Sequence, residues 1–327
     1  MPHELLSVVV PCFNEEEVLA ETLSRIDAEL AKVRSRFDVR TELVLVDDGS
    51  ADGTPEILRA AAERDPRIRV VQLSRNFGHQ AAITAGIEAA AGDAVVMLDA
   101  DLQDPPALIA DMVAAWRDGA KVVYGQRSTR ESRRIRYGLS FLYYRLLNRV
   151  SEIPIPPDAG DFRLLDRSVV DIMLSLRERS LYVRGLSAWV GFPQTGVRYE
   201  REARHAGNSK YSWGRLMRLA ADGFLSFSTA PLKVGFGLGL GVAVIAIIGI
   251  IGALVQWALT DRWINGATAN FMALLFFGGL QVMFLGIIGF YIARIHDDVK
   301  ARPRYIVQDV LNPATTTHSA CPHCGRS

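Results

Sequence analysis

The stretch Ala94-Val95-Val96-Met97-Leu98-Asp99-Ala100-Asp101-Leu102-Gln103-Asp104-Pro105-Pro106 decides the fold. An unbroken apolar run stops abruptly at carboxylates and prolines. A short run that is apolar throughout and ends in turn residues reads as a strand buried on both faces. Upstream the form repeats. Leu5–Val10 ends at Pro11-Cys12-Phe13-Asn14-Glu15-Glu16, Glu42–Val46 at Asp47-Asp48-Gly49-Ser50-Ala51-Asp52-Gly53-Thr54, and Ile68–Leu73 at Ser74-Arg75-Asn76-Phe77-Gly78. Lys121–Tyr124 is a fifth candidate strand. Helical patterns occupy Val18–Val33, Pro55–Arg64, Gln80–Ala91 and Ala107–Trp116. This alternation predicts a doubly wound α/β domain with a parallel sheet and a ligand site at the carboxyl ends of its strands.

The polar residues gather at those ends. A lone carboxylate in such a loop caps the next helix, and Asp52 suits that role. Asp99 and Asp101 do not, because two hard oxygen donors two residues apart, just past a strand, suit Mg²⁺ or Mn²⁺ bridging a diphosphate. Neither G-x-G-x-x-G after the first strand nor G-x-x-x-x-G-K-[ST] occurs, which argues against a dinucleotide site or a P-loop. Cys12 reads as a small packed residue rather than a nucleophile.

Taken with Gly160-Asp161-Phe162-Arg163-Leu164, these strand-end motifs make the chain resemble the polyisoprenyl-phosphate glycosyltransferases of inverting glycosyltransferase family two, from about Leu5 to Arg304. The resemblance implies a Rossmann-like GT-A nucleotide-sugar domain over residues 1–211. It implies that Pro11, Phe13, Glu15 and Asp48 line the nucleoside pocket. Asp99, Asp101 and Gln103 hold the metal and the donor diphosphate, and Asp161, with Asp101, supplies the catalytic carboxylates. Family members often carry Tyr where Phe13 stands; the missing hydroxyl bears on one implied nucleotide hydrogen bond and leaves the implied pocket as it is. The implied reaction moves one sugar, UDP-glucose being the first candidate donor, to undecaprenyl or another polyprenyl phosphate. A processive polysaccharide synthase would need a Q-x-x-R-W motif and further membrane helices. A non-catalytic, membrane-anchored nucleotide-sugar-binding protein would not need intact acidic motifs.

Between Arg127 and Arg149 stand seven Arg and one Glu, interleaved with Phe141, Tyr143, Tyr144 and Leu at helical spacing. Such a segment either lies in the membrane interface or packs as an ordinary surface helix. The resemblance assigns Arg127, Arg136 and Ser140 to the acceptor phosphate, with Arg204 beside them in a Gly-Asn-Ser loop. Arginine suits phosphate because its planar fork grips two oxygens at once. Residues 212–231 read as a juxtamembrane amphipathic helix.

Val234–Thr260 and Trp263–Ala293 contain no Asp, Glu, Lys or Arg over 27 and 31 residues. Each exceeds the roughly 20 residues that cross a bilayer. Six Lys/Arg between Arg201 and Lys233 and four between Arg294 and Arg304, against one in the connector Asp261–Arg262, predict a multi-pass protein of the inner (cytoplasmic) membrane. Its catalytic domain and both termini face the cytoplasm. Gly235, Gly237, Gly239 and Gly241 allow close helix contact, with the second span or in a homo-oligomer. Residues 295–327 read as a tail whose Cys321-Pro322-His323-Cys324 is one half of a zinc site at most.

The net charge of 37 Lys+Arg against 36 Asp+Glu, +1, excludes a generally basic nucleic-acid binder. Three cysteines in 327 residues exclude a disulfide scaffold. The mean hydropathy of +0.13 is explained by the two uncharged runs.

Overall fold

In the computed structural model, residues 4–127, 159–176, 183–199, 267–300 and 302–313 are described, with single positions between 241 and 259. Two compact units emerge: Met1–Tyr144, Ile153–Lys210 and Pro303–Ser327 form one, and Arg145–Glu152 with Tyr211–Arg302 the other.

In the first unit the predicted alternation is present. Strand β1 (Leu5–Cys12) leads to α1 (Leu19–Phe37), β2 (Arg40–Asp47), α2 (Thr54–Arg64), β3 (Ile68–Leu73), α3 (His79–Ala89), β4 (Ala94–Met97), α4 (Leu108–Arg117) and β5 (Val122–Arg127). Then follow β6 (Ala159–Asp166), α5 (Arg167–Ser175), α6 (Val183–Trp189) and β7 (Gln194–Tyr199). β1, β2 and β5 run two, one and three residues past their apolar runs, where pairing to a neighbour continues beyond the hydropathy, whereas β3 ends with its run and β4 stops one residue short of it.

The sheet order is β7-β5-β6-β4-β1-β2-β3-β8, where β8 is Val307–Leu311. It is mixed, which corrects the expected all-parallel sheet. β1 pairs in parallel with β2 and β4, β2 with β3, and β5 with β7. β6 runs antiparallel to both β4 and β5, and β8 antiparallel to β3. Side chains alternate across the sheet and build a core on each face. Val8, Val10, Leu45 and Val96 pack with Ile26 and Leu30 of α1 and Ile109 and Met112 of α4. Val9, Val46, Val95 and Met97 pack with Ile83 of α3, Val169 of α5 and Leu186 of α6. Cys12 is a buried member of the first core, as its apolar context predicts.

Gly86 lets α3 seat closely. A Cβ there would lie 2.2 Å from Val9 Cγ1 and 3.0 Å from Val46 Cγ2.

The reading of residues 295–327 as a plain tail missed β8. Ser74 N donates to Ile306 O (2.9 Å), Arg304 Nη2 to Leu176 O (2.7 Å), and Asn312 Nδ2 to Ala62 O and Ile68 O (2.8 and 2.9 Å). A five-residue run with exposed side chains carries no burial signal, so only its backbone pairing marks it as a strand.

The second unit shows one long helix, α7 (Ala267–Val299), which begins four residues inside the second uncharged run and extends six residues past its end. Its 33 residues span about 50 Å at 1.5 Å per residue. Among the described residues it is the one helix long and apolar enough to cross a membrane: Phe276–Ala293 has mean hydropathy 1.9 and none of it is buried. Leu274, Phe276, Val282, Leu285 and Ile292 are all exposed. The first uncharged run is described at single positions only, and the helix expected at 212–231 and the Cys321/Cys324 pair lie outside the described residues.

Candidate active site

Four strand ends and one strand start meet on a single rim. The β1 and β2 loops are joined by five hydrogen bonds: Asn14 N to Ser50 Oγ, Ala51 N to Asn14 Oδ1, Glu15 N to Thr54 Oγ1, Glu16 N to Asp52 Oδ2, and Gly53 N to Glu16 Oε2. Asn14 sits at φ 54°, a left-handed conformation that asparagine tolerates better than most residues. Asp52 also accepts from Thr54 N (3.0 Å) at the start of α2, from one residue before the N-cap position, which Gly53 occupies. In this frame Pro11 is buried in β1, the side chain of Glu15 is half-buried, and Phe13 is exposed at 39%.

Asp48 is 3% exposed. Its carboxylate accepts from Phe77 N (2.7 Å) and Gly78 N (2.9 Å), so it holds the loop after β3. Burial pushes this carboxyl above its ordinary value, against the pull of the two N–H groups, with Asp47 raising it and His79 lowering it. Gly49 (φ 69°) makes the loop's approach possible: a Cβ there would meet the Arg75 carbonyl carbon at 2.4 Å.

Past β4, Leu102 adopts φ 56°, which a leucine takes only under constraint. This turn brings Gln103 N to 3.1 Å from Asp101 Oδ1, with Gln103 buried. Asp104 is buried and accepts a hydrogen bond from Tyr199 of β7.

Asp161 reaches the rim because β6 is antiparallel. Met97 pairs with Arg163, and two further steps along that register put Asp161 opposite Asp99. His79, the first residue of α3, faces both: its Nε2 lies 3.5 Å from Asp99 Oδ1 and 3.8 Å from Asp161 Oδ2. Arg184 of α6 grips Asp161 with two hydrogen bonds, Nε to Oδ1 at 2.6 Å and Nη2 to Oδ2 at 2.8 Å. Arg163, buried, donates to Gly160 O (2.8 Å), Val183 O (3.4 Å) and Ser187 Oγ, which anchors α6 against β6.

Electrostatics separate the two facing carboxylates. Burial, opposed by His79 and reinforced by Asp161, Asp101 and Asp104, pushes the Asp99 carboxyl up to about 6. Burial also raises Asp161, but the Arg184 guanidinium, then His79 and Arg163, more than reverse it, and Asp161 stays below the ordinary carboxylate range. Crowded acidic oxygens of this kind suit a hard divalent cation. Among the described residues no three His, Cys, Asp or Glu side chains form a ready metal cage. Mg²⁺ or Mn²⁺ takes one or two carboxylates and completes its shell with water and phosphate.

The structure therefore assembles Pro11, Phe13, Glu15, Asp48, Asp99, Asp101, Gln103 and Asp161 on strand-end segments. Arg127 is the last residue of β5, its backbone paired with Tyr199. Arg136, Ser140 and Arg204 lie outside the described residues. Sequence reading missed His79 and Arg184. His79 follows the quoted Ser74–Gly78 loop directly and opens the next helix, which is a usable signal. Arg184 stands 23 residues from Asp161 with no motif to mark it.

A rim of this construction, with an acidic turn past the fourth strand and a carboxylate brought back by an antiparallel sixth, defines a nucleotide-sugar domain of the GT-A kind. Residues 7–173 match the glycosyl transferase family 2 profile, and the chain belongs to that family. The uncharacterized glycosyltransferase YkcC of Bacillus subtilis (strain 168) is 43% identical over 307 residues, covering 94% of each chain. The bactoprenol glucosyl transferase of Shigella phage SfII is 37% identical over 304 residues, 93% of this chain and 97% of that one. The resemblance to polyisoprenyl-phosphate glycosyltransferases is thereby upheld. Among solved structures, the mannosyltransferase PcManGT from Pyrobaculum calidifontis in complex with GDP-Man and Mn²⁺ aligns over 92% of this chain and 88% of its own, with TM-score 0.49 and 19% identity.

Proposed function

We propose that this protein transfers a single sugar, with inversion, from a nucleotide diphosphate sugar to a polyprenyl phosphate at the cytoplasmic face of a membrane. The observation that carries the reading is the meeting of Asp99 and Asp161 across His79 on the sheet's ligand-binding rim. The bactoprenol glucosyl transferases among the relatives support the acceptor class, and UDP-glucose is the first donor to test. The 33-residue helix α7 supports a membrane anchor, with the first uncharged run as its second span.

In the proposed step a phosphate oxygen of the acceptor attacks the anomeric carbon. The bond from that carbon to the diphosphate oxygen breaks, and the nucleoside diphosphate departs. Asp99, Asp101 and Gln103 would hold Mg²⁺ or Mn²⁺ there, which supplies charge neutralisation to the leaving group. Pro11, Phe13, Glu15 and Asp48 form the nucleoside side of the rim. Arg127, Arg136, Ser140 and Arg204 receive the acceptor phosphate. A phosphate monoester is largely anionic at neutral pH, its second pKa being about 6. Asp161 therefore orders the site rather than removing a proton. A polyprenyl tail is held in the bilayer by about 0.8 kcal/mol per buried methylene, so the enzyme has to come to the headgroup.

The test incubates the purified full chain in detergent with undecaprenyl phosphate and a panel of nucleotide sugars, with and without chelator. Lipid-linked monosaccharide from one donor, lost on chelation, is expected. No lipid-linked sugar from any donor with metal supplied refutes the proposal.

A further inference from the structure

Asp161 and Arg163 lie two residues apart on β6 and so point to one face of the sheet, while Arg184 and Ser187 lie three apart on α6 and share one helix face. The two faces meet in a crossed pair: Arg184 on Asp161, Arg163 on Ser187. Arg163 also holds the first turn of α6 through Val183 O. The helix is thus fixed at two points, and Arg184 is delivered to the rim beside Asp161. Side-chain exposure is 26% for Arg184 and 15% for Asp161.

We infer that Arg184 is a positioning residue of the transfer reaction, whose bidentate grip makes Asp161 a fixed anionic anchor for His79 and, through His79, for the Asp99 edge of the donor site. The inference rests on the glycosyltransferase reading and gives Asp161 a role within it. Both Asp161 oxygens are engaged by the guanidinium, so the plane of the carboxylate is set. The Oδ2 atom faces His79 at 3.8 Å, and His79 faces Asp99 at 3.5 Å. The row Arg184, Asp161, His79, Asp99 joins α6, β6, α3 and the end of β4. No member is adjacent to another in the chain, so only this geometry fixes their order. Arginine is needed because its fork makes two bonds in one plane. Lysine offers a point charge and cannot hold that plane.

Steady-state kinetics of full-length Arg184→Ala and Arg184→Lys, beside wild type and Asp161→Ala, test the inference. A misplaced reacting group costs up to about 10²-fold in rate. We expect kcat to fall by roughly 10–100-fold in Arg184→Ala, with donor KM within about threefold, and Arg184→Lys to fall between it and wild type. Millimolar guanidinium should recover part of the Arg184→Ala rate and none of the Asp161→Ala rate. The double variant should be no slower than Asp161→Ala alone, as for residues acting as a unit. If Arg184→Ala does not fold, Arg184→Lys and the wild-type comparison carry the test. Wild-type kcat in either Arg184 variant, a loss confined to KM, or losses that multiply in the double variant overturn the inference. Absence of turnover by wild type itself refutes the glycosyltransferase reading and the inference with it.

Discussion

Asp48→Asn isolates what the second strand end contributes to the site. The Asp48 carboxylate accepts Phe77 N at 2.7 Å and Gly78 N at 2.9 Å from a position 3% exposed. Asparagine keeps one acceptor oxygen and turns an NH₂ group toward the second backbone N–H. One hydrogen bond to a charged group is lost, about 1.5–3 kcal/mol, and a buried donor is left facing a donor, about 1–3 kcal/mol more. Burial already works against this charge, and neutralising it returns part of that cost. The expected net loss is therefore about 2–4 kcal/mol, concentrated in the loop after β3. At 1.4 kcal/mol per tenfold, local opening of that loop rises by roughly 30- to 700-fold. Hydrogen exchange of a peptide covering residues 74–80 measures this directly. Protection of Phe77 and Gly78 should fall by that factor, while amides of β1 and β4 keep theirs. Turnover should fall with it, because His79 begins where the loop ends. Unchanged exchange at Phe77 and Gly78 would show that the carboxylate does not hold the loop.

Three further outcomes follow from the packing and the charges. Gly86→Ala places a methyl 2.2 Å from Val9 Cγ1, so overpacking of about 1–3 kcal/mol outweighs the helix-propensity gain of about 1 kcal/mol; a lowered Tm is expected. Asp166 is raised by burial but lowered further by Ser168, Trp116 and Lys121, so its folded pKa lies below the unfolded value of about 3.9. Its contribution is complete above that value and lost as pH falls through the folded pKa. Denaturation of Asp166→Asn against wild type should show a deficit of about 1–3 kcal/mol at pH 7 that shrinks below about pH 4. Asn312→Ala removes donors to Ala62 O and Ile68 O at 2.8 and 2.9 Å. Loosening of β8 by about 1–2 kcal/mol should appear as faster proteolysis after residue 302, with the β1–β2 region still protected.

Much of the candidate site was legible because the chemistry needed there conflicts with the hydropathy around it. Asp99 and Asp101 interrupt an apolar run, and Asp47 and Asp48 interrupt another, so the loops announce themselves. His79 was harder. A histidine opening a helix looks like any surface histidine until β4 and β6 place carboxylates on either side of it. Arg184 was illegible. Its partner is Asp161, and the pairing depends on α6 lying on the β6 face, which Arg163 and Ser187 secure.

The sequence by itself determined which segments are strands and helices in the first 127 residues, because burial on one or two faces imposes a period on local composition. It also determined the family, through motifs whose residues are neighbours in the chain. Only the tertiary structure decided the direction of β6, the placement of β8 and the row from Arg184 to Asp99. These depend on backbone pairing and on contacts between residues far apart in sequence. A hydrogen bond across the sheet leaves no trace in hydropathy, and an ion pair leaves none in spacing when its partners sit on different elements.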